Sequence, residues 1–140
     1  TLEAVVEART QAQAAEEQAA DTPGDPEERL RSVFEMLVPT APDGTEHDIR
    51  LSLLELRMCA PRDERFARRF EALDDRVQAE FAAAVREGIA RDRFRDVDPE
   101  YVAETLYSLA TGTTVRRLTT DHDSTTAHRA FDDVIDRISA

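Results

Sequence analysis

From Phe66 to Gly88 an apolar or small residue returns every third or fourth position: Phe66, Phe70, Leu73, Val77, Phe81, Ala84 and Gly88. This spacing puts all of them on one side of an α-helix, whereas a half-buried strand would alternate every second residue. The pattern predicts a helix from about Asp63 to Asp92. A helix of that length with one continuous apolar stripe has to lay it against other elements, so it sets the frame for the rest of the chain.

The remaining segments agree with a helical frame. Ala, Leu, Glu and Arg dominate, all strong helix formers, and no stretch alternates convincingly as a strand. Leu2 to about Ala20 is Ala-rich with Leu2, Val5 and Val6 apolar, and Thr22-Pro23-Gly24 ends it. Asp25 then offers a side-chain cap, Pro26 takes the first helical position, and Glu27 and Glu28 complement the dipole of a second helix. That helix buries Leu30, Val33, Phe34 and Leu37 and stops at Pro39. A third helix, from about Glu46 to Ala60, carries Ile49, Leu53, Leu56 and Ala60 on one face and Leu51, Leu54 and Met58 on the opposite face, so it is expected to be covered on both sides.

Beyond the long helix, Asp98-Pro99-Glu100 repeats the opening chemistry of Asp25-Pro26-Glu27 and starts a helix to about Leu118. Val102, Leu106 and Leu109 form its core face, with Tyr101, Ser108, Gly112 and Val115 on the other side. Thr119 to Thr126 reads as a polar loop, and Ala127, Phe131, Val134 and Ile138 form the stripe of the last helix. The expected fold is all-α, one domain over residues 1–140 built from six helices.

The charge narrows the choice of partners. Thirty acidic residues face 18 basic ones for a net charge of -12, and every basic residue is Arg; Lys and Asn are absent. Such a surface repels phosphate, so this segment is a poor candidate for touching DNA itself. A G/C-rich genome depletes Lys and Asn through codon usage, and a high-salt cytosol favours an acidic, lysine-poor surface; both together are expected, in a halophile's cytosolic protein. Cys59 stands alone, which rules out a disulfide within the chain and fits a reducing, cytoplasmic setting. No apolar run is long enough to span a bilayer, and the start of the chain lacks a secretory signal, so no membrane partner is expected. The chain begins at Thr1 rather than Met, as a fragment with an upstream part removed would.

The block Arg86-Glu87-Gly88-Ile89-Ala90-Arg91-Asp92-Arg93-Phe94-Arg95-Asp96-Val97-Asp98-Pro99-Glu100, followed by Gly112 in the middle of the next helix, resembles the ligand-sensing domain of the TetR/AcrR family of transcriptional regulators. The family shows a long helix ending in Gly-(Val/Ile)-Ala-x-Gly-x-Phe, then an Asp-Pro-Glu opening, then a helix with an internal glycine. Asp92 stands where the family has a left-handed glycine, and Asp tolerates that conformation better than most residues. What the resemblance implies is a six-helix sensing domain whose last two helices pair with those of a second copy in a four-helix interface. It also implies that residues 1–20 form the connecting helix from a missing N-terminal helix-turn-helix domain, through which DNA is bound. An unknown small-molecule effector would occupy a cavity among the inner helices and shift the connecting helix, releasing or rearranging the regulator on DNA, most simply as a repressor.

On that reading the dimer interface is expected at Tyr101, Ser108, Gly112, Val115, Phe131 and Ile135, and the effector pocket at Met36, Arg50, Leu54, Met58, Phe81 and Tyr107. Met adapts to varied ligand shapes, although an apolar residue at helical spacing is more often ordinary core. Arg50 and Arg57, seven residues apart, could hold an anion in a guanidinium fork, but with 30 carboxylates in the chain an internal ion pair is the stronger reading. Asp121, His122, Asp123 and His128 lack any metal-binding spacing and read as a polar loop with a capping Asp123. Arg65, Arg68, Arg69, Arg116 and Arg117 are interleaved with acids and read as solvated faces. No nucleophile elbow and no paired E-x-x-H motif is present, so neither catalysis nor a cofactor is expected. The alternative to a ligand sensor is a helical homodimerisation module that binds no ligand.

Overall fold

The computed structural model describes residues 24–140, and the expected helix from Leu2 to Ala20 lies outside the described residues. Five α-helices follow: α1 Pro26–Leu37, α2 Gly44–Cys59, α3 Glu64–Ala90, α4 Pro99–Thr119 and α5 Thr125–Ile138, with a 3₁₀ turn at Ala60–Arg62. The only β-type pairing among the described residues is an isolated bridge between Phe94 and Ser139.

Local chemistry explains most boundaries. The helix α2 starts earlier than Glu46 because the Asp43 carboxylate accepts the Glu46 amide at 2.7 Å and caps the first turn at Gly44. Asp98 caps α4 as its sequence predicts, its Oδ1 taking the amides of Glu100 at 3.0 Å and Tyr101 at 3.4 Å. Asp25 departs from expectation. Its backbone occupies the cap position of α1, yet its carboxylate makes no capping bond and instead pairs with Arg93 at 3.2 Å. At the end of α3, Asp92 takes a left-handed φ of 57°, the Arg93 amide bonds the Gly88 carbonyl at 2.8 Å, and the Asp92 amide bonds Ile89 at 3.1 Å. These are the paired bonds of a Schellman cap with aspartate in the glycine's place.

The described helices fall into two compact units. One comprises Pro42–Asp75 and the other Asp25–Ala41 with Arg76–Ala140, so α3 begins in the first and continues through the second. The stripe of α3 is divided accordingly. Its first part, Phe66, Phe70 and Leu73, packs with Leu53, Leu56 and Ala60 of the same unit. Its later part, Val77, Phe81, Ala84 and Val85, joins Leu30 and Phe34 of α1, Val102, Ala103, Leu106 and Ala110 of α4, and Ala127, Phe131, Ile135 and Ile138 of α5 among the buried residues of the second. Phe34 and Phe131 lie 4.8 Å apart at 42°, a tilted aromatic contact. Gly88 is buried under Phe94, whose Cγ would stand 2.8 Å from a Cβ built there. The turn after α3 is further tied to the end of α5 by the Arg95 amide on the Ile138 carbonyl at 2.7 Å and the Ala140 amide on Arg93 at 3.0 Å.

Candidate functional site

Two surfaces have the character of a working site. In the first unit, the end of α2, the 3₁₀ turn and the start of α3 border a shallow, open groove of about 430 Å³, lined by Arg57, Ala60, Pro61, Ala67, Phe70, Glu71, Asp74 and Asp75. Arg57 sits 4.8 Å above the Phe70 ring and forks onto Asp74 with contacts of 2.6 and 3.2 Å. Ring face and carboxylate together hold the guanidinium in one orientation. Arg50 pairs with Glu46 at 2.9 Å, one turn away on α2. Both arginines that were candidate anion anchors therefore sit in internal ion pairs.

In the second unit, α4 buries Val102, Ala103, Leu106, Ala110 and Thr113 and turns the opposite side outward. The middle of that outer side reads Tyr101, Thr105, Ser108, Gly112, Val115 and Thr119, all exposed and uncharged, with the exposed Glu104 and Arg116 at its two edges. Tyr101 is 73% exposed and Val115 38%. Nothing lies within 4 Å of a Cβ built at Gly112.

The expected interface thus divides. Tyr101, Ser108, Gly112 and Val115 share one exposed face, whereas Phe131 and Ile135, each 1% exposed, are core. The reason is the phase of α5: Ala127, Phe131, Ile135 and Ile138 form one buried side, and Phe34 takes the Phe131 ring. The charged Arg129, Asp132, Asp133 and Asp136 are what α5 shows to solvent.

The expected effector pocket also changes. Phe81 has no accessible surface, so it borders no void that water could enter, and Met58 is 65% exposed, so nothing among the described residues encloses it. Arg50 and Leu54 are half-buried in the first unit, Met36 and Tyr107 half-buried in the second, and none of the six lines the groove. His128, weighed above as a metal ligand, has Nε2 2.9 Å from the Val38 carbonyl and 3.7 Å from Glu35. Asp123 accepts the Thr125 amide at 3.0 Å, as a residue opening a helix does.

One contact escaped the sequence altogether. Arg117, expected on a solvated face, is half-buried and donates to the Pro39 carbonyl at 2.7 Å. Its neighbour Thr114 donates to Leu37 at 3.4 Å. Neither acceptor is visible in a residue pattern, because each is a backbone oxygen about 80 positions upstream.

These helices, caps and surfaces define a class, the C-terminal domain of a TetR-family transcription regulator, and comparison with known proteins shows it. The family described as BetI-type transcriptional repressor, C-terminal, matches residues 26–140, and the chain belongs to it. A crystal structure of a TetR transcription regulator from Haloarcula marismortui ATCC 43049 superposes with a TM-score of 0.77 at 28% identity, over 99% of this chain and 69% of that one. No curated protein sequence matches the chain. The family is one of regulators rather than enzymes, and among the described residues no helix is long and apolar enough to cross a membrane.

Proposed function

We propose that the chain is the effector-sensing and dimerisation domain of a TetR-like repressor of the cytoplasm, pairing with a second copy through the outer face of α4 and answering a small molecule. DNA binding is assigned to a helix-turn-helix domain outside these residues, in keeping with a net charge of -12 that repels phosphate. The observation that carries the reading is the uncharged centre of the exposed side of α4 from Tyr101 to Thr119, flanked by Glu104 and Arg116, in a chain where 34% of residues are charged. A helix that faces only water carries its charge on that side; this one carries an aromatic ring, a valine, hydroxyls and a glycine. Sedimentation of Gly112→Leu tests it, since a bulky side chain at the middle of the face is expected to raise the monomer fraction. A variant as dimeric as the parent, with the same dissociation constant, would overturn the interface.

The groove beside Arg57 has the volume of a small-molecule site and is the proposed place of effector contact. Ligand would act by favouring one arrangement of the helices over another. The absence of any void at Phe81 favours the alternative of a dimerisation module without ligand. Thermal melting against a panel of small metabolites separates the two readings: a saturating ligand at about 100 times its dissociation constant stabilises by about 2.7 kcal/mol. A pure dimerisation module shows no such rise with any compound.

A further inference from the structure

Three consecutive backbone carbonyls at the end of α1 are each held by a side chain from another helix. Thr114 Oγ1 of α4 donates to Leu37 at 3.4 Å, His128 Nε2 of α5 lies 2.9 Å from Val38, and Arg117 Nη1 of α4 donates to Pro39 at 2.7 Å. Helix ends leave such carbonyls without intrahelical partners, and the negative end of the dipole favours a cation beside them. Glu35 continues the arrangement by accepting the Thr40 amide at 2.8 Å and the Thr40 hydroxyl at 2.9 Å, and it lies 3.7 Å from His128. The row therefore fixes the stretch Leu37–Thr40, after which the chain leaves this unit at Ala41.

The helix that supplies two of the three donors is also the one that carries the exposed uncharged side. At 100° per residue, Thr114 and Arg117 project from the side of α4 opposite Ser108, Gly112 and Thr119. A helix is stiff across its width, so a shift of α4 that is felt on one side is felt on the other. We propose that the carbonyls of Leu37, Val38 and Pro39, with Thr114, Arg117 and His128, form a latch that couples pairing at the outer face of α4 to the segment Val38–Ala41. The coupling half of this inference rests on the pairing reading above; the latch itself does not.

The two halves are tested separately on the intact chain with Thr114→Val/Arg117→Met, which keeps the bulk of both side chains and removes both donors. In hydrogen exchange, losing these bonds should speed the amides of Val38 and Thr40, which flank Pro39, about tenfold, while those of 102–113 keep their protection. Unchanged exchange at Val38 and Thr40 overturns the latch. His128→Gln, whose amide can still donate to Val38, should restore more of the protection than His128→Ala in the same assay, and equal loss in both removes His128 from the latch. In sedimentation, the double variant should weaken the dimer by about fivefold, the size of one lost hydrogen bond passed through α4. A dimer of unchanged affinity overturns the coupling and leaves the latch standing. A parent chain that is monomeric at every concentration overturns the pairing reading and the coupling with it, while the exchange measurement still decides the latch.

Discussion

At the scale of single residues, the fold depends on a few positions where backbone and side chain meet too closely for alternatives. Gly88 is one, because the Phe94 ring fills the place where its Cβ would go. Phe94 is itself buried and belongs to the turn that joins the end of α3 to the end of α5, so the ring cannot simply swing into solvent. Gly88→Ala should therefore destabilise by about 1–3 kcal/mol, the usual cost of overpacking, despite alanine's better helix propensity, and denaturant unfolding measures it. Gain of stability would mean that the ring relocates freely. Asp63 acts through its charge. The Arg65 side-chain hydrogen bond is the main cause that holds its carboxyl below the ordinary value of 3.8, helped by the Arg65 and Phe66 amides and opposed by some desolvation. A carboxyl lowered in the folded state adds stability that is complete above its unfolded value and lost as pH falls through the folded one. The stability gap between the parent and Asp63→Asn should accordingly be constant near neutral pH and close as the pH is taken below 3.8. A gap that widens in acid would contradict the sign.

Among the elements, α4 has two contrasting sides, one buried and one exposed. Glycine in the middle of an exposed helix costs about 1 kcal/mol relative to alanine, and in the single chain nothing fills the space beside Gly112. Gly112→Ala should then stabilise the monomer by roughly that amount, as thermal unfolding at low protein concentration would show. At concentrations where the chain pairs, the same methyl group should weaken association if a partner's backbone approaches there. Stabilisation without any change in pairing would make Gly112 incidental to the interface. How much of the elements was legible follows from the same local logic. Asp98 marks its boundary by turn chemistry that acts over three or four residues, Asp92 by its place in the family's motif, and the stripe of α3 is spaced by the helix itself, whereas the cap at Asp43 was missed inside a Pro/Gly loop. Asp25 looked equivalent to Asp98, yet Arg93 captures its carboxylate from far along the chain. Ile135 belongs to the same limit: the stripe through Ala127, Phe131 and Ile138 was readable, but that Ile135 rather than Val134 completes it was decided by packing.

For the whole molecule the controlling quantity is charge. With a net charge of -12 and no Lys, carboxylates repel one another over distances that grow as salt is removed, about 10 Å at 0.1 M and 3 Å at 1 M. Melting temperature should rise from dilute buffer to molar KCl, and pairing should tighten along with it. An unchanged midpoint would show that the arginine pairs, such as Arg57 with Asp74 and Arg31 with Asp132, already cancel the repulsion.

The sequence by itself determined the helical class and all five described helix starts to within a residue or two, because periodicity and capping are short-range and leave their mark in neighbouring residues; the left-handed end at Asp92 and the family were legible through the resemblance of residues 86–100 to a known motif. Only the tertiary structure decided where Arg117 and His128 find their acceptors, that Ile135 rather than Val134 is buried, and that Met58 faces solvent while Phe81 has no free surface. Those outcomes depend on which helix lies across which. A backbone carbonyl or a packed ring supplied from another part of the chain carries no periodic signal that a residue pattern could record.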